Sequence, residues 1–159
     1  MEIQIDPNTE QTIREALNQR IARTMRNVMP DIGEIILTSI EDRFDAQSAE
    51  TPVFPLNTPA GAWKELQPST LHRKKGGKIL MGGQNAELRK QFSYRQDGNT
   101  LHITNSRTVG GHSLFLIHQF GAEAGKDGKS IIPARPMLAL QQEEIEEIID
   151  VIREGLSEP

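Results

Sequence analysis

The sequence predicts an α+β fold with N-terminal helices, a small antiparallel β-sheet with long loops, and a C-terminal amphipathic helix. Three observations lead to this prediction. Apolar residues recur at helical spacing near both ends of the chain, and short alternating segments flank a turn dipeptide in the middle. Stretches rich in Pro and Gly separate these segments. Helices at the ends with strands between them are typical of the α+β class.

The first predicted helix, Thr9 to Met29, carries one narrow apolar stripe with arginines beside it. Such a stripe suits packing against one neighbouring helix or a partner subunit. Pro30 is expected to stop the helix, so we divide the chain into an N-terminal amphipathic helical arm, residues 1–30, and a main domain, residues 31–159. The stripe consists of Ile13, Leu17, Ile21, Met25 and Val28.

A second helix is predicted from Asp31 to about Gln47, and it is the most hydrophobic one. Its side chains are therefore the best candidates for the core. From Ser48 to Glu65 the helical pattern ends, and Pro52, Pro55, Pro59 and Gly61 interrupt the chain. A loop of this length in a small protein is usually functional or disordered until bound.

Short helices are predicted from Pro68 onwards and from Asn85 to Gln91. Phe92 to Arg95 and Leu101 to Thr104 alternate around Asp97-Gly98, which predicts a β-hairpin. Further strands are predicted at Leu114–Phe120 and at Ile131-Ile132, and a helix is predicted after Pro136. The apolar stripe of that last helix is Ile145, Ile148, Ile149, Ile152 and Leu156.

The composition is typical of a protein with one hydrophobic core of modest size. The chain has 159 residues, of which 36% are apolar and 4% aromatic, so a deep cavity walled by aromatic side chains is not expected. The mean hydropathy is −0.50, and neither a membrane span nor a signal peptide is predicted. The chain has no Cys, which excludes disulfides and thiol chemistry and is compatible with assembly in a bacterial cytoplasm.

Charge is segregated along the chain. Residues 64–107 hold nine Lys and Arg against three Asp and Glu, whereas residues 140–159 hold one Arg against seven Asp and Glu. Two interpretations stay open: the basic middle of one copy attracts the acidic end of the next, or both are solvated faces without a partner.

No catalytic, cofactor or metal site is predicted. The histidines lack the spacing of a zinc peptidase, and His112 and His118 would need carboxylates from elsewhere to bind a metal. Gly111-His112-Ser113 lacks the second glycine of a nucleophile elbow. The glutamates near the C-terminus are read as a solvated helix face. We therefore expect a protein that is not an enzyme.

The basic run from His72 to Lys78 is the sharpest local feature. Arg73, Lys74, Lys75 and Lys78 could contact nucleic-acid phosphates, yet no aromatic residues alternate with them and the chain is acidic overall. A solvated or partner-facing loop is the favoured interpretation, and DNA contact is the alternative.

An ordered set of segments resembles the phage virion morphogenesis family, over about residues 28–155. The matching segments, in order, are Ile32-Gly33-Glu34, Arg43-Phe44-Asp45, Pro59 to Trp63 with Leu66, Ser69-Thr70-Leu71, Lys78-Ile79-Leu80, Leu88, Ile117 to Gly121 and Ile132 to Leu138. The loop before Trp63 departs from the Pro-Asp-Gly turn that the family often has. Leu114-Phe115-Leu116 replaces a stretch that is usually rich in Tyr and Ala.

This resemblance implies a structural protein that completes the tail end or joins tail to head. It would act as a ring, with six-fold symmetry by analogy with tail terminators, and would bind tail tube, terminator or neck proteins. The implied location is the host bacterial cytoplasm during assembly and then the virion. The alternative is a head-completion factor that contacts DNA, the portal or the capsid.

The candidate interaction residues lie in the matching segments and the basic run. Pro133 and Pro136 are expected to hold Arg135 extended, ready to pair with a carboxylate or with backbone carbonyls, in this chain or in a partner. Phe120 is expected to pack inward at a strand end. The full set is Trp63, Arg73, Lys74, Lys75, Lys78, His118, Phe120 and Arg135.

Overall fold

The structure is a computed structural model that describes residues 6–74, 78–80, 86–125, 128 and 130–158. It confirms the α+β class. The helices are α1 Pro7–Ala46, α2 Pro68–Lys74, α3 Ala86–Lys90, α4 Leu114–Phe120 and α5 Gln142–Ser157. The strands are β1 Ser48–Ala49, β2 Gly61–Ala62, β3 Phe92–Asp97, β4 Thr100–Asn105, β5 Thr108–Val109, β6 His112–Ser113, β7 Ala122–Ala124 and β8 Ser130–Ile132.

The first helix begins two residues before its predicted start at Thr9. The Asp6 carboxylate accepts hydrogen bonds from the backbone N–H groups of Asn8 and Thr9, at 3.4 and 3.3 Å, and so caps the helix. Pro7 occupies the first helical turn, where its missing N–H leaves no helical bond unmade.

The predicted break at Pro30 is wrong, because α1 runs through this residue to Ala46. A proline inside a helix deprives the carbonyl four residues earlier of its donor. That carbonyl belongs to Arg26, and it accepts a hydrogen bond of 2.8 Å from the side-chain amide of Gln96 on β3. The strand thus supplies the donor that Pro30 lacks. The division of the chain at residue 30 stays a prediction.

The hydrophobic core lies against the C-terminal half of α1, as predicted. Phe44 meets Trp63 edge to face, with ring centroids 5.5 Å apart. Phe92 meets Phe115 in the same way at 5.2 Å. The buried cluster is Ile40, Phe44, Trp63, Leu80, Leu88, Leu114, Phe115 and Met137.

The described strands form four separate antiparallel ribbons of two strands each, instead of one small sheet. The predicted hairpin is confirmed as β3–β4. Asp97 pairs with Thr100, so the loop is Gly98-Asn99, one residue later than predicted. Gly98 has φ of +58°, which glycine adopts without steric cost. The predicted strand at Ile131-Ile132 is confirmed as β8, which pairs with β7.

The predicted strand over Leu114–Phe120 is wrong, because this segment is the helix α4. Ser113 caps it: its hydroxyl oxygen accepts a hydrogen bond of 3.3 Å from the Leu116 N–H. A run of seven residues that are mostly apolar does not itself distinguish a buried strand from a short buried helix. The N-cap at Ser113 stabilises the helical conformation of this segment.

The last helix, α5, packs antiparallel on α1 and begins at Gln142 instead of soon after Pro136. The intervening residues are not helical: the Leu140 N–H donates to the Phe54 carbonyl at 2.8 Å and the Leu140 carbonyl accepts from Val53 at 2.8 Å, which pairs this residue with the long loop. Within the described residues, no helix has the length and apolar character needed to cross a membrane.

Two glycines allow close approach to α1. A Cβ added at Gly155 of α5 would lie 2.7 Å from Cγ1 of Val28, so the helices touch backbone to side chain there. A Cβ added at Gly33 of α1 would lie 2.7 Å from the ring of Tyr94 on β3. Small residues at these positions therefore set how closely α5 and the β3–β4 ribbon pack on α1.

Candidate assembly surfaces

Trp63 lies inside the fold. It is 4% exposed, and its indole N–H donates to the Pro136 carbonyl at 3.0 Å. Its backbone N–H donates to the Gln47 carbonyl at 2.7 Å, just beyond the end of α1. The residue therefore joins the end of the long loop to the segment that precedes α5. The sequence does not show this contact, because the two segments are far apart along the chain.

Arg135 is also buried, with 4% of its surface exposed. Its Nε donates to the Lys64 carbonyl at 3.0 Å, and a second nitrogen reaches the Glu65 carbonyl at 3.5 Å. Its backbone N–H donates to the His118 carbonyl at 2.6 Å. Burial lowers the pKa of Arg135 below its ordinary value. The pairing is with backbone carbonyls within one chain, which is one of the two pairings expected from the sequence.

Gln119 is a structural residue that the sequence analysis missed. It is 3% exposed, and its amide oxygen accepts from the N–H groups of Met137 and Leu138 at 2.9 and 3.0 Å. Its amide nitrogen donates to the Leu138 carbonyl at 2.9 Å. The neighbouring His118 is buried as well. The structure thus brings Trp63, His118 and Arg135 together at the segment 133–138.

Phe120 points outward, so the expectation that it packs inward is wrong. It is 71% exposed, and Leu116, one turn earlier on α4, is 52% exposed. In a strand, side chains alternate by two residues, whereas in a helix each step turns the side chain by about 100°. The helix therefore turns Leu114, Phe115, His118 and Gln119 inward and leaves Leu116 and Phe120 on the outer face.

The basic run is described only in part. Lys78 is exposed, and its Nζ donates to the Asp45 carbonyl at 3.3 Å. The backbone of Arg73 and Lys74 ends α2, while their side chains and Lys75 lie outside the described residues. The structure therefore places Lys78 at the end of α1 and does not test a shared site for the four cations.

Another basic residue, Arg89 on α3, forms ion pairs with acidic residues near this end of α1. It forms ion pairs with Glu41 and, at 2.7 Å, with Asp45. The hydrogen bond from Arg89 holds the pKa of Asp45 below its ordinary value of 3.8. These contacts fix α3 on the core-facing half of α1. Asp45 belongs to a segment that resembles the family, whereas Glu41 and Arg89 gave no signal in the sequence beyond their charge.

The N-terminal turns of α1 project from the fold. Residues 7–21, which we call the overhang, are all exposed and span about 22 Å at the rise of an α-helix. Three apolar side chains line one stripe of it: Ile13 is 47%, Leu17 54% and Ile21 49% exposed. Isolated exposed aliphatic residues are ordinary, but a continuous stripe of three is a candidate contact surface.

α5 is fastened to α1 at both of its ends. At its N-terminal end, Glu144 accepts hydrogen bonds from Arg43 at 3.2 Å and from Ser39 at 3.0 Å. At its C-terminal end, the Arg20 guanidinium donates to the carbonyls of Leu156 and Glu158, both at 2.9 Å. A cation at this end also complements the helix dipole. α5 therefore ends level with Arg20 and leaves the part of the overhang before this residue uncovered.

One flank of α5 remains partly uncovered. Ile149 and Leu156 are each 39% exposed, with Ile152 half-buried between them. We call this the α5 flank. Of the exposed acidic side chains of α5, Glu146 lies about a quarter turn from this flank, next to Arg153, and Glu143, Glu147 and Glu154 lie on the far side of the helix.

The described ranges contain no group of three His, Asp or Glu side chains placed as metal ligands would be. Residues 6–157 match the phage virion morphogenesis family, a longer stretch than the motifs alone indicate, since it includes the overhang. No curated protein and no solved structure matches the chain. The match spans nearly the whole chain, and the protein therefore belongs to the phage virion morphogenesis family.

Proposed function

We propose that this protein completes the end of the phage tail or joins the tail to the head, as a non-enzymatic ring of identical subunits. Membership of the family gives a role in virion assembly. The observation that supports tail completion or joining is that large apolar side chains lie on the surface of this small folded subunit. They include the stripe on the overhang, Leu56 in the long loop (82% exposed), Phe120 on α4 (71%) and Ile131 on β8 (78%).

Surfaces on separate parts of one subunit suit an assembly protein. A subunit of a closed ring needs two different contact surfaces for its neighbours, and it needs further surfaces for the parts of the virion above and below. The overhang and the α5 flank are two such surfaces. The loop at Leu56 and the outer face of α4 lie elsewhere in the chain and are left for other virion proteins. DNA contact through Arg73, Lys74, Lys75 and Lys78 stays the alternative.

The test is a phage or prophage from which the gene is deleted, with its particles examined by electron microscopy. We expect filled heads and separate tails, and infectious particles again when the wild-type gene is supplied in trans. Tails of uncontrolled length would place the defect at the tail end, whereas heads that have lost their DNA would favour the head-side alternative. Normal infectious particles from the deletion strain would refute a role in completing or joining the tail.

A further inference from the structure

α5 is firmly held at its N-terminal end. Arg43 is buried on α1 and donates to the Glu144 carboxylate at 3.2 Å, and the Ser39 hydroxyl donates to the same oxygen at 3.0 Å. The other oxygen of Glu144 accepts from the Gln141 backbone N–H, which caps the helix. Detachment of this end would break these contacts together and leave a buried guanidinium without its ion pair. This end of α5 therefore stays on the body while the core is folded.

The last two turns of α5, Val151–Ser157, are held less firmly, and we call them the strap. None of their residues is buried. The two hydrogen bonds from Arg20 to carbonyls at the end of α5 are exposed to water, which competes for both partners. The Thr24 hydroxyl lies 3.4 Å from the Gly155 carbonyl, near the limit of useful geometry. Two open grooves, of about 380 and 290 Å³, run between the strap and α1, so the packing there is incomplete.

The sequence of the strap does not favour a helix by itself. Gly155 lies inside the helix, where glycine is the least favourable residue after proline. Glu154 and Glu158 place negative charge at the C-terminal end, where the helix dipole favours cations, and the last turn has no basic residue. Arg20 of α1 supplies the cation. Because the helix of the strap depends on α1 in this way, we expect the strap to detach and unfold in one step.

The strap lies on the part of α1 that follows the exposed stripe of the overhang. Thr24 and Val28 are each 6% exposed, and a Cβ added at Gly155 would lie 3.0 and 2.7 Å from their methyl carbons. We propose that the strap is a local opening unit, which detaches from α1 while Glu144 stays bound, and that assembly requires this opening. The strap keeps Thr24 and Val28 covered in the free subunit and uncovers them when it opens. The requirement for assembly rests on the proposed function, whereas the opening itself does not.

Hydrogen exchange of the wild-type chain tests the opening. Amides of the strap are expected to share one opening free energy and one dependence on urea, because they open as a unit. They should exchange on the order of a hundredfold faster than the amides from Ile40 to Phe44. Ordinary fraying gives protection that declines from residue to residue towards the end and does not depend on urea. That pattern, or exchange of the strap only by global unfolding, would overturn the proposal.

Removal of the Arg20 guanidinium tests what holds the strap. Arg20→Met loses two exposed hydrogen bonds, so strap amides should exchange roughly threefold to tenfold faster while core amides keep their rates. Arg14→Met is the matched control, because Arg14 pairs with Glu10 of its own helix at 2.7 Å. Equal strap rates in the two variants would contradict the proposed fastening of the strap by α1.

A disulfide locks the strap in the closed position. In a disulfide, the sulfur of one cysteine lies about 3 Å from the Cβ of the other, because the S–S bond is about 2 Å long. A Cβ added at Gly155 would lie 2.7 Å from Cγ1 of Val28, a position that a cysteine sulfur can take. The chain has no other cysteine, so Val28→Cys with Gly155→Cys should form this one bond. Oxidation is expected to slow strap exchange to the rate of the core, and reduction should restore fast exchange in the same molecule.

An extract of cells infected with a deletion phage tests whether assembly requires the opening. The oxidised double variant is expected to raise the phage titre on the order of a hundredfold less than the same protein after reduction, because the competent state is no longer populated. Wild type and Val28→Cys alone, which cannot form the bond within one chain, should be equally active under both conditions. Full activity of the oxidised form would refute the requirement. If wild type does not raise the titre, or the deletion phage is infectious, the proposed function fails, while hydrogen exchange still decides whether the strap opens.

Discussion

Replacement of Arg135 by Met tests whether this residue supports the fold or contacts a partner. In the structure its guanidinium lies inside the subunit and donates to the Lys64 carbonyl at 3.0 Å and to the Glu65 carbonyl at 3.5 Å. Met has a similar length and fills most of the same space, but it has no donor. The substitution therefore removes the hydrogen bonds and the charge while it retains much of the apolar contact of the side chain.

The magnitude follows from those two distances. A hydrogen bond from a charged donor contributes about 1.5–3 kcal/mol, and a carbonyl left buried without a partner costs a similar amount. The bond at 3.5 Å is at the limit of useful geometry and adds little. We therefore expect Arg135→Met to lower the free energy of unfolding by about 2–3 kcal/mol. At about 2–4 °C per kcal/mol for a chain of this size, Tm should fall by roughly 4–12 °C.

Urea unfolding followed by circular dichroism measures this change, and Arg95→Met is the matched control. Arg95 is an exposed arginine on β3, so its substitution should change stability by less than about 0.5 kcal/mol. A stability of Arg135→Met equal to that of the control would show that the buried guanidinium does not support the fold. Normal stability together with lost assembly would instead place Arg135 at a partner surface, against the geometry described above.

Four further outcomes follow from the structure. Gln119→Leu removes three hydrogen bonds and leaves the N–H groups of the segment 137–138 buried without an acceptor, so unfolding by urea should show a loss of at least about 2 kcal/mol. Gly155→Val forces α5 away from α1 and should cost about 1–3 kcal/mol, since overpacking outweighs the gain in helix propensity. Because the pKa of Asp45 is lowered in the folded state, its pairing with Arg89 stabilises the protein fully above the ordinary pKa and loses this effect as the pH falls through the lowered one. The stability difference between wild type and Asp45→Asn should therefore be constant near neutral pH and shrink below about pH 3.8. Phe120→Ser should leave Tm unchanged, since the ring is exposed, and yet reduce complementation of a deletion phage if α4 contacts another virion protein.

The parts of the fold that could be predicted are those in which local pattern and tertiary structure agree. The apolar periodicity of α1 and α5 predicts both helices correctly, although α1 leaves Ile13, Leu17 and Ile21 of its stripe exposed and buries Val28. The β3–β4 hairpin was predictable for a related reason, since alternation and a glycine at a turn act over a few residues. For α5 and the hairpin the error is one to six residues at an end of the element, as at Gln142 and Gly98, whereas α1 runs through its predicted end at Pro30.

The parts that could not be predicted depend on contacts between distant segments. Pro30 is tolerated because Gln96, 66 positions later in the sequence, donates to the carbonyl that the proline leaves unpaired. The short apolar run of α4 could not be distinguished from a strand. Because the segment is a helix, Phe120 lies on the surface instead of packing inward. Gln119 lies in the matching segment from Ile117 to Gly121, but nothing in the identity of a glutamine indicates which backbone groups it will bind.

The burial of the motif residues changes where partner specificity should be sought. Trp63, His118 and Arg135 carry much of the resemblance to the family, and all three are buried around the segment 133–138. If a variant at one of these positions fails to assemble, its stability must be measured first, because a weakened fold would also prevent assembly. Leu17 and Phe120 are exposed and contribute little to the fold, so a loss of assembly at either position with unchanged Tm reports a lost contact. The comparison of infectivity with Tm at buried and exposed positions thus separates the scaffold of this protein from its binding surfaces.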